Sequence, residues 1–494
     1  MNILEPLIAY AMNHKDKMAI IDNHQYRHHT YSSLLHTIQR IAYGLTNYSL
    51  HQEKIAILSS NRIEFAEVFL GAIYAGCTPV PLDPKWSKYE IKMILQQIQP
   101  SIIFVEHHLT KYVLDLNLNI EVITFSDDQT GSYLDWLSAL DQQNTMYSQN
   151  ELLFIAFTSG TTGVPKGYMR THHSWIKSFE ATKEAFQLDS IEHVSAPGPL
   201  VHSLSLFGLV QCLYYGGTFY LSNSFDPVHV IQQCQQIPDL ILFVVPTMIE
   251  AILQVQPIEP LAIQALLCSG AKWSTASKHQ CRLLFGSTPL YEFYGSSEAS
   301  YISYSNIQHD PPYSVGRAFP EVQISVRDEQ FREVAVGTVG QLYIKSEMLF
   351  KGYYRLPEET EHVFREEWLV LGDYGYLDYE GYLYMTGRVR NRIISGGMNV
   401  FPEEVEAVLQ QMPEIAEVMV TGKAHPYWGE QIIAIVQWNI DSPLSIEIIK
   451  EYCRSYLAYY KAPREIITVE KFIYTSSGKI AREIMKQHIE SVSL

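Results

Sequence analysis

The chain has 494 residues, 47% hydrophobic and 18% charged, so it is long enough for one large body and a smaller one and too apolar to be disordered. Its 36 lysines and arginines stand against 53 aspartates and glutamates, a formal charge of −17, which argues against a nucleic-acid partner because phosphate neutralisation needs clustered cations. Cys77, Cys212, Cys234, Cys268, Cys281 and Cys453 are scattered without a CxxC pair, so neither a zinc cage nor a disulfide framework is expected and a reducing cytoplasm fits.

The opening residues, Met1 to Pro6, lack the basic and apolar stretches of a secretory signal. No apolar run reaches the ~20 residues of a membrane span. The first clear unit is β-α-β: strands at Ile55–Leu58 and Thr78–Leu82 flank a helix from Asn61 to Ala75. In that helix Phe65, Val68, Phe69, Ala72 and Ile73 recur on one face, Asn61 with Glu64 reads as a capping box, and Gly76 suits the stop. The apolar runs Ser101–Val105, Leu152–Phe157 and Leu240–Val245 read as buried strands of a mainly parallel sheet. From about Val315 to Ile344 short alternating strands, such as Val322–Val326 and Gln341–Ile344, predict an antiparallel subdomain. Between Gly387 and Asn399 glycines stand beside arginines, and Pro402 opens a helix with Val405, Val408, Leu409 and Met412 on its apolar face. The predicted class is therefore α/β: a large N-terminal domain, residues 1–389, of mainly parallel sheets with helices and a small antiparallel β subdomain, then a small α+β domain, residues 390–494.

The segment Thr158-Ser159-Gly160-Thr161-Thr162-Gly163-Val164-Pro165-Lys166-Gly167 carries the strongest chemical signal. Its glycines let backbone approach an anion, its hydroxyls and N–H groups donate, and Lys166 adds charge, as a phosphate-gripping loop requires. It is not a Walker loop, because Pro165 precedes the lysine and Gly167 follows it. Tyr294-Gly295-Ser296-Ser297-Glu298, Leu371-Gly372-Asp373, Gly387-Arg388-Val389-Arg390 and Thr475-Ser476-Ser477-Gly478-Lys479 follow in order.

Together these motifs resemble the adenylate-forming superfamily of acyl-CoA synthetases, peptide-synthetase adenylation domains and luciferases, with acyl-CoA synthetases the nearest in motif. The resemblance runs over nearly the whole chain to Arg482. It implies that ATP is gripped by Thr158 to Gly163 and Lys166, that Tyr294 stacks on adenine within Tyr294 to Ser297, and that Glu298 holds Mg²⁺. It further implies that Asp373 binds the ribose hydroxyls, Arg388 reaches ribose or phosphate, Arg390 is the hinge, and Lys479 is the catalytic lysine of acyl-AMP formation. His202, in Pro199-Leu200-Val201-His202, stands where relatives place a residue at the acyl pocket and thiol tunnel. Ser395-Gly396-Gly397 resembles the segment beside the incoming pantetheine, although a simple turn is an equal reading. No counter-ion for an ammonium is evident within Pro199–Leu204, which favours an acid without an α-amino group.

The resemblance also implies the partners: a carboxylic acid, fatty or otherwise hydrophobic, and coenzyme A. An acyl carrier protein is the alternative acceptor, and a non-catalytic nucleotide-binding regulator is a third reading. Leu371, Gly396 and Ile473 depart from the family pattern, while Lys272 and Trp273 stand where relatives line the acyl pocket with smaller residues. The histidine pairs His28-His29, His107-His108 and His172-His173 lack metal-ligand spacing and are expected to be structural.

Overall fold

A computed structural model describes residues 2–22, 27–47, 53–126, 132–140, 147–148, 150–158, 165–256, 259–271, 273–388, 391–395, 398–425, 427–475 and 479–492. The first β-α-β unit is present: strands Lys54–Leu58 and Thr78–Leu82 pair in parallel, joined through the helix Ile63–Tyr74. Gly76, at φ +74°, ends that helix. Its N–H bonds Ile73 O at 3.0 Å and that of Cys77 bonds Ala72 O at 2.9 Å, the paired closure that a left-handed residue permits.

The start of this helix differs from the expected capping box. Arg62 is the extended cap and makes no side-chain capping bond, while Asn61 is engaged far along the chain. Nor is the helix amphipathic in the simple sense, since all of its residues are buried. Glu64 is paired with Arg27 and Arg62, and Glu67 with His29 and Tyr133, so its polar side is sealed by charge pairs rather than water.

This helix belongs to a four-stranded all-parallel sheet in the order Thr78–Leu82, Lys54–Leu58, Ile102–Glu106, Glu121–Phe125. A larger sheet runs in the order Ser300–Asn306, Leu290–Ser296, Ala265–Cys268, Leu240–Val244, His193–Ser195, Thr218–Leu221, Met18–Asp22, Arg27–Thr30. It is parallel through its middle and antiparallel at both of these ends. The run Leu152–Thr158 departs from expectation, because it pairs antiparallel with Lys166–Thr171. Residues 153 to 157 are all buried, so the run looks like a parallel core strand although its direction is set by the next strand along the chain.

Gly340–Lys345, which covers the predicted strand Gln341–Ile344, pairs antiparallel with Asp373–Leu377, and that strand with Leu383–Arg388, so the antiparallel subdomain extends beyond the predicted Val315–Ile344. Near the C-terminus, long paired strands Ile415–His425 and Gly429–Trp438 carry the helices Pro402–Leu409 and Ile446–Tyr456 over a separate apolar core. The chain divides into two compact units, residues 1–312, 318–323 and 345–367 in one and residues 313–317, 324–344 and 368–494 in the other. Among the described residues no helix is long and apolar enough to cross a membrane.

Candidate active site

In the first unit, Thr158 lies opposite Lys166 on paired strands, which closes the base of the predicted phosphate loop. Ser159, Gly160, Thr161, Thr162 and Gly163 themselves lie outside the described residues. Gly167 sits opposite Phe157, where a Cβ would stand 2.9 Å from the phenyl ring, so glycine is required by packing. The Lys166 ammonium pairs with Glu359 and lies 5.6 Å from the centre of the Tyr353 ring.

Tyr353 connects this lysine to the second motif. Its hydroxyl donates to Glu298 Oε1 at 2.9 Å. Burial, reinforced by the neighbouring Glu298, raises its pKa, so it remains a donor across the physiological range. The motif itself follows the strand Leu290–Ser296 into a tight reversal. A Cβ at Gly295 would meet Ser300 O at 2.0 Å, Ser300 adopts φ +65°, and Ser296 Oγ accepts from Ala299 N at 2.9 Å.

Two buried side chains of the strand Lys166–Thr171 fix the reversal. Arg170 donates to the carbonyls of Ser297 and Glu298, each at 3.3 Å, and to Met348 O at 2.6 Å. Burial pushes its pKa down to about 10, which still leaves a cation at neutral pH. Tyr168 is buried on the same strand with Ser297 and Ser203 beside its hydroxyl, and burial pushes its pKa up to about 12. Ser203 opens the helix Ser203–Tyr214 directly after His202.

The segment before that helix is held by Asn61, whose Nδ2 donates to Gly198 O and Ser222 O, both at 2.8 Å. His202 caps the helix, and its Nε2 lies 3.6 Å from Asp83 Oδ2. Trp273 packs at 1% exposure in the core cluster containing Val244 and Cys268, and Lys272 lies outside the described residues.

In the second unit Asp373 and Arg388 are directly opposed on the paired strands Asp373–Leu377 and Leu383–Arg388. Asp373 is buried at 3% exposure. Lys479 is exposed and sits in a small hairpin: Thr475 N donates to Lys479 O at 2.7 Å, and Ala481 N to Ile473 O at 2.8 Å. Arg482 anchors the hairpin, donating to both oxygens of Glu406 and to Val420 O at 3.1 Å. Arg390, Gly396 and Gly397 lie outside the described residues.

The family description "AMP-binding enzyme" matches residues 8–354, and "AMP-binding enzyme C-terminal domain" matches residues 404–479. The chain belongs to the AMP-binding enzymes. It is an AMP-forming acid–thiol ligase, a member of the adenylate-forming superfamily close to the acyl-CoA synthetases. It is 32% identical to an uncharacterized acyl-CoA ligase, YhfT, of Bacillus subtilis, over 93% of each chain. To a putative long chain fatty acid-CoA ligase, VraA, of Staphylococcus aureus it is 32% identical over 98% of this chain and 97% of that one. Among solved structures, ATP-bound MatB from Rhodopseudomonas palustris superposes with a TM-score of 0.89 over all of both chains at 24% identity. The o-succinylbenzoate CoA synthetase MenE from Bacillus subtilis gives 0.86 over 97% of each at 24% identity, and both likenesses concern the fold.

Several side chains that build this AMP-binding enzyme's first unit escape a sequence reading: Asp83, Tyr168, Arg170 and Tyr353. Arg170 leaves no distinct local signal, since its strand also carries Lys166 and Thr171. Asp83 before Pro84 reads simply as a turn.

Proposed function

We propose that this ligase activates a fatty or other hydrophobic carboxylic acid with ATP as an acyl-AMP and transfers the acyl group to coenzyme A. The observation that carries the reading is the Glu298 motif, held by Arg170 at the Ser297 and Glu298 carbonyls and by the Tyr353 hydroxyl at Glu298 Oε1, with the Lys166 ammonium beside the same tyrosine ring. Both phosphate-directed motifs thereby share one framework. The names of YhfT and VraA support CoA as acceptor, and that of VraA supports a long-chain acid.

In this reading the loop from Thr158 to Lys166 grips the β- and γ-phosphates, and Tyr294 to Ser297 receive the adenine and α-phosphate end. Asp373 takes the ribose hydroxyls, with Arg388 beside it. The acid carboxylate attacks the α-phosphorus, pyrophosphate leaves, and Lys479 stabilises charge on the entering and departing oxygens. The small domain, residues 390–494, then pivots at Arg390. Lys479 is thereby withdrawn, and Gly396 and Gly397 line the path of the pantetheine thiol beside His202.

Glu298 would hold Mg²⁺. Among the described residues no three or more His, Cys, Asp or Glu side chains gather as a metal cage. Mg²⁺ shared between one or two carboxylates, water and substrate phosphates needs none, so a single glutamate steadied by Tyr353 fits. When bound, the ion neutralises phosphate charge. The cysteines are buried free thiols, which supports a cytoplasmic site of action.

The test is pyrophosphate release across a panel of aliphatic, aromatic and amino acids, each with and without CoA. Release that needs a hydrophobic acid and rises with CoA to give the thioester is expected. Acid-dependent release indifferent to CoA would redirect the acceptor to an acyl carrier protein, and release with amino acids alone would overturn the substrate class.

A further inference from the structure

Asp83 and His202 face each other through polar atoms that no other described residue satisfies. Asp83 follows the strand Thr78–Leu82, is 3% exposed, and accepts from Lys85 N at 2.9 Å through Oδ1. Its Oδ2 is fully buried and lacks a hydrogen-bond partner among the described residues, as does Nε2 of His202. The two atoms are 3.6 Å apart, a few tenths of an ångström beyond a hydrogen bond. Two buried groups left unmade are costly, whereas a small closure satisfies both at once.

The ring is otherwise well placed. Its backbone N–H donates to Pro199 O at 3.0 Å, and the preceding turn is clamped by Asn61. Its side chain keeps 31% exposure although Nε2 is sealed, so one part of the imidazole is buried against Asp83 and another is open. The charged groups acting on it are Asp83 and Lys85. Burial is the stronger influence and favours the neutral ring, which must then choose which nitrogen carries the proton.

We propose that Asp83 is the positioning residue of His202: its Oδ2 accepts the Nε2–H, fixes that tautomer, and leaves Nδ1 as a hydrogen-bond acceptor toward the acyl and thiol end of the site. A carboxylate behind one imidazole nitrogen sets the role of the other. The direction assigned to Nδ1 rests on the placement of His202 at the acyl pocket, whereas the tautomer does not.

The experiment is a two-bond proton–nitrogen correlation spectrum of the full-length protein labelled with ¹⁵N-histidine, at neutral pH. The His202 signal is identified as the one that His202→Gln removes or Asp83→Asn moves. The expected wild-type pattern is a proton on Nε2 alone. Asp83→Asn keeps Oδ1 for the Lys85 turn but turns an amide donor toward Nε2, so the proton should shift to Nδ1. A wild-type ring protonated on Nδ1 or on both nitrogens, or an unchanged tautomer in Asp83→Asn, overturns the pairing. Should that variant fail to fold, the wild-type spectrum decides. Because the spectrum needs no substrate, failure of the pairing and failure of the ligase reading in the pyrophosphate screen are seen separately.

Discussion

Asn61 holds Leu200: its Oδ1 accepts from Leu200 N at 2.6 Å across 139 residues of chain. The same amide donates to two carbonyls, so the turn leading into His202 is fixed by one buried side chain. Asn61→Ala strands those carbonyls and the N–H, at about 1–3 kcal/mol for each group left unsatisfied. The urea midpoint followed by tryptophan fluorescence is expected to fall. Asn61→Asp keeps the acceptor but loses both donors, and is expected to fall at least as far. An unchanged midpoint in both would show that the clamp adds no net stability.

Lys479 lies in a hairpin whose pairing of Tyr474 with Ile480 is continued by the Arg482 anchor on Glu406. A cation acting only as the acyl-phosphate bond forms should affect one half-reaction. Lys479→Ala is expected to slow acid-dependent pyrophosphate release by about 10²- to 10³-fold, as loss of one preorganised stabilising group does. Transfer from supplied acyl-AMP to CoA should stay close to wild type. Equal loss in both assays would remove the assigned role.

The Tyr353 hydroxyl donates to Glu298, the proposed holder of Mg²⁺. Loss of such an outer partner typically weakens metal binding by about 10- to 100-fold. Tyr353→Phe is therefore expected to raise the Mg²⁺ concentration giving half-maximal pyrophosphate release while sparing the rate at saturating Mg²⁺. Glu298→Gln should shift the Mg²⁺ requirement further. A Tyr353→Phe curve that overlays wild type would mean that Glu298 is held by other contacts.

The parts of this fold that were legible in the sequence are those whose cause is local. Gly76 ends its helix because a left-handed residue is needed there, and the apolar periodicity of Val405, Val408 and Leu409 maps onto the observed helix face. Strand direction is different. Leu152–Thr158 has the same buried apolar pattern as a parallel core strand, and only its pairing with Lys166–Thr171 reveals the antiparallel sheet. Asn61 was misread for a related reason, since a polar residue before a helix has a local use and a distant one that look identical. Arg170 and Tyr353 act through partners 127 and 55 residues away, and no spacing rule encodes such contacts.

His172 offers a pH test that separates one buried histidine from the many acidic groups. Its Nδ1 accepts from the backbone N–H of Ile3 at 3.3 Å, so protonation of that nitrogen removes the acceptor. Burial pushes its pKa down from 6.5 to about 4. In the window between those values the unfolded chain binds a proton that the folded chain refuses, so stability rises with pH there and is lost as pH falls. The contribution is fully present above pH 6.5 and amounts to roughly 3 kcal/mol lost by pH 4, at about 1.4 kcal/mol per unit. His172→Gln retains an acceptor for Ile3 but cannot titrate. Its unfolding midpoint should therefore fall less steeply than wild type between pH 6.5 and pH 4, the two curves converging on acidification even if the variant is the less stable near neutrality. Parallel curves would show that His172 keeps its ordinary pKa in the fold, and that the acid sensitivity of this region arises from its carboxylates instead.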